Sequence, residues 1–120
     1  MKKNIIFFCY LFLLIPLLFA CTKKNESFNI NQYQNFYYQN VGSNYKSEMS
    51  VDDINEFKLL ISNANYEYVN DDNINGWTYI VYCDDLKLLF GKYLTVVNNN
   101  NSKNYYSNNN SMVIDFLNKL

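Results

Sequence analysis

The chain has 120 residues, a formal net charge of −1, and neither histidine nor arginine. The missing histidine removes the usual general acid–base group near neutral pH, and the missing arginine removes the commonest bidentate clamp for phosphate. The sequence also has no basic cluster of the kind that binds nucleic acid. We therefore expect a protein that is not an enzyme and does not bind nucleic acid.

The first twenty residues have the three parts of a signal peptide. Met1-Lys2-Lys3-Asn4 is a short positive segment, residues 5–19 are almost continuously apolar, and Ala20 is a small residue before Cys21. The apolar run is shorter than the about 20 residues that a membrane-spanning helix needs. Residues 1–20 are therefore predicted to be a signal peptide that is removed.

Leu18-Phe19-Ala20-Cys21 resembles the lipobox of bacterial lipoproteins. The resemblance implies diacylglyceryl transfer to the sulfur of Cys21, cleavage before Cys21, and acylation of the new amino group, for example with palmitate. The implied location is the bacterial cell envelope, with the membrane as partner through this lipid. Thr22 stands where aspartate would signal inner-membrane retention, which favours the outer membrane if the source has one.

Residues 21–46 are predicted to be a lipidated, low-complexity tether. The stretch 31–40 is rich in asparagine, glutamine and aromatic residues, a composition typical of weakly structured chain. Its aromatic residues Phe36, Tyr37 and Tyr38 have two alternatives, to dock on the domain or to form a short edge strand.

Residues 47–120 are predicted to form a single small α+β domain, with an N-terminal and a C-terminal helix packed on a small antiparallel sheet. The first helix spans 51–62, with Ser50 as its cap and Asp53 completing a pattern like a capping box. Its apolar stripe consists of Val51, Ile54, Phe57, Leu60 and Ile61, and Leu59 widens this stripe.

Four strands are predicted after this helix. Residues 66–69 are a short candidate, and residues 77–83 are the strongest, with two apolar faces that indicate a central position. Residues 86–90 and 93–97 are joined through Gly91-Lys92, which suggests a two-residue hairpin turn. The run 86–90 is also compatible with a helical turn.

The C-terminal part is predicted to contain polar loops on both sides of Tyr105-Tyr106, and then a terminal helix capped by Ser111. The apolar face of that helix comprises Met112, Val113, Phe116, Leu117 and Leu120. Abundant asparagine, lysine, isoleucine and tyrosine indicate an AT-rich bacterial genome, so the asparagine runs are weak evidence for a binding surface.

One segment resembles the opening of a calcium-binding loop. Asp71, Asn73 and Asn75 supply oxygen atoms at alternate positions, and Gly76 stands where such loops turn sharply. The twelfth position is Tyr82, where the motif has glutamate, and it lies within a predicted strand. A turn rich in Asp, Asn and Gly is the competing interpretation, and the one we expect.

Two further sets of residues carry groups that catalysis can use, the four aspartates around the strongest strand and Cys83. Asp71 and Asp72 precede the strongest strand and Asp84 and Asp85 follow it, which separates the two pairs by about 20 Å. A paired-acid site needs two carboxylates within reach of each other, so we expect solvated turns. Cys83 has no histidine to activate it and is expected to be a buried core residue.

Three short segments, at 49–54, 77–81 and 94–98, occur in an order that resembles the small SmpA/OmlA lipoproteins. Those proteins are accessory subunits of outer-membrane barrel assembly. The chain departs from them at Asn63-Ala64-Asn65, where they have Gly-x-Pro, and in its additional C-terminal helix. The resemblance implies a non-enzymatic, protein-binding role.

We therefore expect a membrane-anchored lipoprotein of the bacterial envelope with a non-catalytic protein-binding or scaffolding role, an envelope protein as partner, and no cofactor or small-molecule substrate. The alternatives are an accessory lipoprotein of barrel assembly, a surface-exposed antigen or adhesin, and a metal-dependent hydrolase that uses Asp or Glu.

Overall fold

The computed structural model describes residues 29–120. A 3₁₀ turn at Ile30–Gln32 is followed by two helices and seven strands within this range. The strands are β1 (Phe36–Asn40), β2 (Ser47–Glu48), β3 (Tyr66–Val69), β4 (Tyr79–Cys83), β5 (Leu86–Phe90), β6 (Leu94–Asn98) and β7 (Asn101–Ser107), and the helices are α1 (Val51–Ser62) and α2 (Asn110–Asn118). The signal peptide, the lipobox and Cys21 lie outside the described residues.

The strands form one antiparallel sheet in the order β2-β1-β4-β5-β6-β7-β3, and both helices pack on it. The predicted α+β class is therefore confirmed. Residues that are directly paired across the strands share a face, and one row joins Tyr79, Phe90, Leu94 and Tyr105. These residues are all buried, and their side, here called the inner face, carries the helices.

Helix α1 has the predicted bounds because its capping and its periodicity agree. The hydroxyl oxygen of Ser50 accepts a hydrogen bond from the N–H of Asp53 at 3.2 Å. Phe57 is fully buried and makes edge-to-face contacts with Phe36 and Phe90, with ring centroids 5.8 Å and 6.0 Å apart. These contacts place α1 over β1 and β5.

Two residues assigned to the apolar stripe of α1 are instead exposed. Val51 is 73% exposed and Leu59 is 63% exposed. The stripe that faces the sheet passes through Phe57 and Ile61, and the geometry of 3.6 residues per turn directs Val51 and Leu59 away from it. The prediction that Leu59 contributes to the core is therefore wrong.

The predicted tether runs too far toward the C terminus, because β1 is part of the sheet. This strand pairs with β2 on one side and β4 on the other, so it is next to the edge and not an edge strand. Phe36 is 1% exposed, and Ile30 in the 3₁₀ turn is also buried. The ordered domain thus includes residues before position 47, and the boundary at 46/47 is corrected.

The connection between β5 and β6 has three residues, and the predicted two-residue turn is wrong. Phe90 pairs with Leu94, and the N–H of Gly91 donates to the carbonyl oxygen of Tyr93 at 3.1 Å. Residues 86–90 are a strand and not a helical turn. A Cβ atom on Gly91 would lie 2.8 Å from the carbonyl oxygen of Gly76, so glycine permits a close approach of two backbone segments here.

A strand, β7, occupies part of the region that was predicted to be polar loops. It pairs with both β6 and β3, and a two-residue turn with Asn99 at φ 56° joins it to β6. The sequence of β7 is polar, but Tyr105 and Ser107 are buried. Helix α2 begins at Asn110, so the predicted cap Ser111 lies inside it.

Candidate functional site

The two helices lie beside each other on the inner face and enclose an open groove on their solvent side, here called the α1–α2 groove. Its volume is about 420 Å³. Apolar side chains form much of its lining, and charged side chains stand among them. The lining residues are Asp53, Glu56, Leu60, Met112, Asp115, Phe116, Lys119 and Leu120.

Hydrogen bonds to side chains fix the position of α2 against the rest of the fold. The side-chain amide of Asn109 donates to the carbonyl oxygen of Leu60 in α1 at 2.6 Å. The side-chain amide of Asn110 donates to the carbonyl oxygen of Gly91 at 2.8 Å, and the Tyr79 hydroxyl donates to the side-chain oxygen of Asn118 at 2.6 Å. Both ends of α2 are tied down, so the groove is largely preformed.

The charges that line the groove are predominantly negative. Asp53, Glu56 and Asp115 carry carboxylates, and Lys119 supplies a single positive charge. Asp53 stands in the first turn of α1, where a negative charge stabilises the helix dipole. Glu56 and Asp115 lie further along their helices and are exposed, and no ion pair joins any of these four groups to another described residue. The three carboxylates and one ammonium group give the lining a net negative charge.

One large apolar side chain is exposed in the groove, and another is exposed on the solvent side of α1. Met112 lines the groove and is 57% exposed. Leu59 follows Glu56 by three positions, so the two side chains are neighbours on the solvent side of α1. Exposed apolar side chains beside a groove with an apolar floor are typical of a surface that binds another protein.

The sequence predicts Met112 and Leu59 on apolar, core-facing sides of their helices and does not indicate Glu56 and Asp115 as members of a site. One feature of the sequence pointed to these residues: each helix has a wider apolar face than contact with the sheet alone would need. The tertiary fold brings the two helices side by side, and no local sequence pattern indicates this arrangement.

The residues that resemble a calcium loop form a turn, as expected from the sequence. The side chain of Asp71 accepts a hydrogen bond from the N–H of Asn73 at 3.0 Å, which closes an Asx turn. Gly76 has φ +82°, as a sharp turn requires, and Asn75 is exposed. Within residues 29–120, no group of three or more Asp, Glu, His or Cys side chains is placed to hold a metal ion.

Hydrogen bonds hold this loop against the outer face of the sheet, the face opposite the helices. The indole N–H of Trp77 donates to the Thr95 hydroxyl at 3.0 Å, and that hydroxyl donates to the side-chain oxygen of Asn104 at 2.6 Å. The side-chain amide of Asn104 donates to the carbonyl oxygen of Asp71 at 2.9 Å. Trp77 precedes the first residue of β4, so the strand is shorter than predicted and the indole anchors the loop.

Asp84 and Asp85 form the turn between β4 and β5, and Asp84 fastens the segment before β1. Its carboxylate accepts hydrogen bonds from the backbone N–H of Gln34 at 3.1 Å and from the backbone and side chain of Asn35 at 3.2 Å and 2.9 Å. These bonds, that from Gln34 foremost, lower the pKa of Asp84. The Asp84 carboxylate therefore has a structural role, because it holds residues 34 and 35 against the β4–β5 turn.

Cys83 is fully buried and is not in a disulfide, so the expected core position is confirmed. Burial raises the pKa of its thiol, the negative charge of Asp84 raises it further, and Lys58 offsets part of this increase. A thiol in this environment is protonated at neutral pH and is not an activated nucleophile.

Comparisons with protein-family models, curated proteins and solved structures found no match to this chain. Among the described residues, no helix has both the length and the apolar character that crossing a membrane requires. Several cavities of similar volume are open on residues 29–120, and the α1–α2 groove is the one that lies between the two helices, with apolar side chains and an excess of acidic groups in its lining.

Proposed function

We propose that this chain is a lipid-anchored lipoprotein of the bacterial cell envelope whose domain binds a protein partner and catalyses no reaction. The observation that supports the binding role is the α1–α2 groove, whose lining includes the exposed side chain of Met112, with the exposed side chain of Leu59 next in sequence to the lining residue Leu60. The anchor rests on the sequence, in which Cys21 ends a signal peptide with a lipobox.

The two features support each other physically. Stable membrane anchoring needs two or more acyl chains, and lipidation of Cys21 with acylation of its amino group would supply them. A domain held at a membrane meets envelope proteins at a raised effective concentration, so a shallow groove with modest intrinsic affinity is sufficient for binding. The proposed location is the outer membrane if the source has one.

Substitution of the lipidated cysteine tests the anchor. We expect the Cys21→Ala variant to stay in precursor form and to leave the lipoprotein fraction, because it lacks the sulfur that receives the diacylglyceryl group. The measurement is a phase partition in detergent with labelled palmitate in the growth medium. Equal palmitate incorporation and equal partitioning of both proteins would contradict the anchor.

Affinity capture from detergent-solubilised membranes tests the binding role. Wild-type chain is compared with a double variant, Leu59→Ser with Met112→Ser, and with Tyr45→Ser, which changes an exposed side chain that does not line the groove. We expect at least one envelope protein to be captured by the wild type and by Tyr45→Ser and to be lost from the double variant. An identical set from all three would contradict binding in the groove. Barrel-assembly components in the lost set would favour the accessory-subunit alternative.

A further inference from the structure

We propose that the segment bound in the α1–α2 groove is an amphipathic helix of a partner protein, with lysine or arginine on its polar side. This inference rests on the proposed protein-binding function and adds the chemistry of the partner.

The walls of the groove favour a helix over an extended segment. Both walls are helices, α1 and α2, whose backbone N–H and C=O groups are used within the helices, apart from those at the ends. An extended peptide between them would find few backbone partners, and its own buried polar groups would be left unsatisfied. A helix satisfies its backbone internally and presents only side chains, which is the helix-in-groove mode of recognition.

The charge of the groove selects a basic partner. Glu56 and Asp115 stand on opposite walls, Asp53 adds a third carboxylate, and only Lys119 opposes them. Acidic groups on both sides of an apolar floor complement a helix whose apolar stripe is flanked by cationic side chains. The long stems of lysine and arginine would also cover the exposed methylene and methyl groups at the edges of the groove.

The apolar residues define what the partner inserts. Leu60, Phe116 and Leu120 are the less exposed apolar residues of the lining and form its floor, and Met112 adds an exposed apolar side chain. Leu59, next to Leu60 on α1, is exposed outside the lining. Side chains at positions i, i+3 or i+4, and i+7 of a partner helix lie in one line and fit a groove of this form. Helix α1 has 12 residues and is therefore about 18 Å long, which corresponds to about three turns of a bound helix.

Other occupants fit the groove less well. A second copy of the chain would bring the same acidic groove face against itself, so like charges would meet. The chain has its own basic pair, Lys23-Lys24, but the neighbouring residues 25–27 are polar and offer no apolar side chain for the floor. Both occupants are distinguishable outcomes of the experiment below.

Site-specific photocrosslinking tests the proposal in the full-length, lipidated chain. A photoreactive amino acid replaces Met112, and the same amino acid at Tyr45 serves as the control outside the groove. After irradiation of intact cells, mass spectrometry maps the crosslinked peptide. We expect a partner segment with a helical apolar repeat and a net positive charge to be crosslinked from position 112 and not from position 45.

The mapped crosslinks distinguish a failure of this inference from a failure of the proposed function. A partner segment without net positive charge would overturn this inference and leave the proposed function standing. No protein crosslinked from position 112 would overturn both. A crosslink to residues 22–28 of the same chain, or to a second copy, would overturn the partner proposed here.

Charge variants in the crosslinking background give an independent test. Glu56→Lys with Asp115→Lys places cations on both walls, and we expect the crosslink yield to fall by about five- to tenfold. Lys119→Glu removes the opposing cation and is expected to raise the yield. The changed side chains are exposed, and circular dichroism checks that the fold is retained. Yields that do not change in either variant would overturn the assignment of a basic partner.

Discussion

A single methyl group at Gly91 should test the packing that holds the β5–β6 turn against the loop before β4. A Cβ atom built on Gly91 lies 2.8 Å from the carbonyl oxygen of Gly76 and 3.1 Å from the Cα atom of Trp77. Both contacts are with backbone, so neither can be relieved by rotation of a side chain. The carbonyl of Gly91 also accepts the hydrogen bond from Asn110, so a shift of the turn would disturb the start of α2.

The magnitude follows from two opposing terms. Overpacking of this kind costs about 1–3 kcal/mol, and replacement of glycine by alanine recovers about 0.4–1 kcal/mol by restricting the unfolded chain. We therefore expect Gly91→Ala to lower the free energy of unfolding by about 1–2 kcal/mol, which corresponds to about 5–10 °C in Tm for a domain of this size.

Urea unfolding followed by the fluorescence of Trp77, the single tryptophan of the chain, is a suitable assay because Trp77 lies at the contact. Gly42→Ala is the matched control, since its Cβ atom would meet only a side-chain oxygen of Asn40 at 3.4 Å. We expect this control to leave stability unchanged or slightly raised. Equal stabilities of the two variants would refute the packing argument.

Three further predictions concern single side chains. The hydrogen bonds that the Asp84 carboxylate accepts lower its pKa. Its contribution to stability is therefore present above the unfolded-state pKa of about 4 and is lost as the pH falls through the folded-state pKa. Below pH 4, the Tm of Asp84→Asn should decline less than the Tm of Asp85→Asn or of the wild type. Cys83 should resist iodoacetamide in the native chain and react in urea, and equal rates would contradict its burial. Asn109→Ala removes the bond to the last turn of α1 and should cost about 1–2 kcal/mol in urea unfolding, whereas Ser111→Ala, at the cap expected from the sequence, should cost almost nothing.

The bounds of α1 could be predicted because two independent signals agree. Ser50 caps the helix, and Phe57 and Ile61 repeat at helical spacing toward the sheet. The core strands β4, β5 and β6 were also recognisable, because β-branched, aromatic and leucine side chains dominate them.

Strands β2 and β7 were not predicted, and β1 was expected only as one of two alternatives. In β1 and β7 the core needs little from the sequence. In β1 only Phe36 is buried, and its neighbours are polar or aromatic residues that resemble a tether. In β7 the first residues are exposed, and Tyr105 and Ser107 supply the burial. Cross-strand pairing on both sides stabilises each of them, and such partners are not visible in a local pattern.

The groove could not be predicted from the sequence, for a different reason. Glu56 and Asp115 belong to helices that are far apart along the chain and become neighbours only because both pack on the inner face of the sheet. The many apolar residues of α2 indicated a broad apolar face on this helix. The sheet covers only part of that face, and Met112 stays exposed. The groove is thus a product of tertiary packing.

Methionine oxidation in native membranes tests the central claim most directly, because the two methionines outside the predicted signal peptide have opposite environments. Met112 lines the groove and is exposed, whereas Met49 is 4% exposed and serves as an internal control. Hydrogen peroxide oxidises accessible methionine to the sulfoxide, and mass spectrometry follows both sites. If a partner occupies the groove, Met112 should oxidise several-fold more slowly in native membranes than in the purified chain, with Met49 slow in both. Equal rates for Met112 in the two preparations would contradict the account.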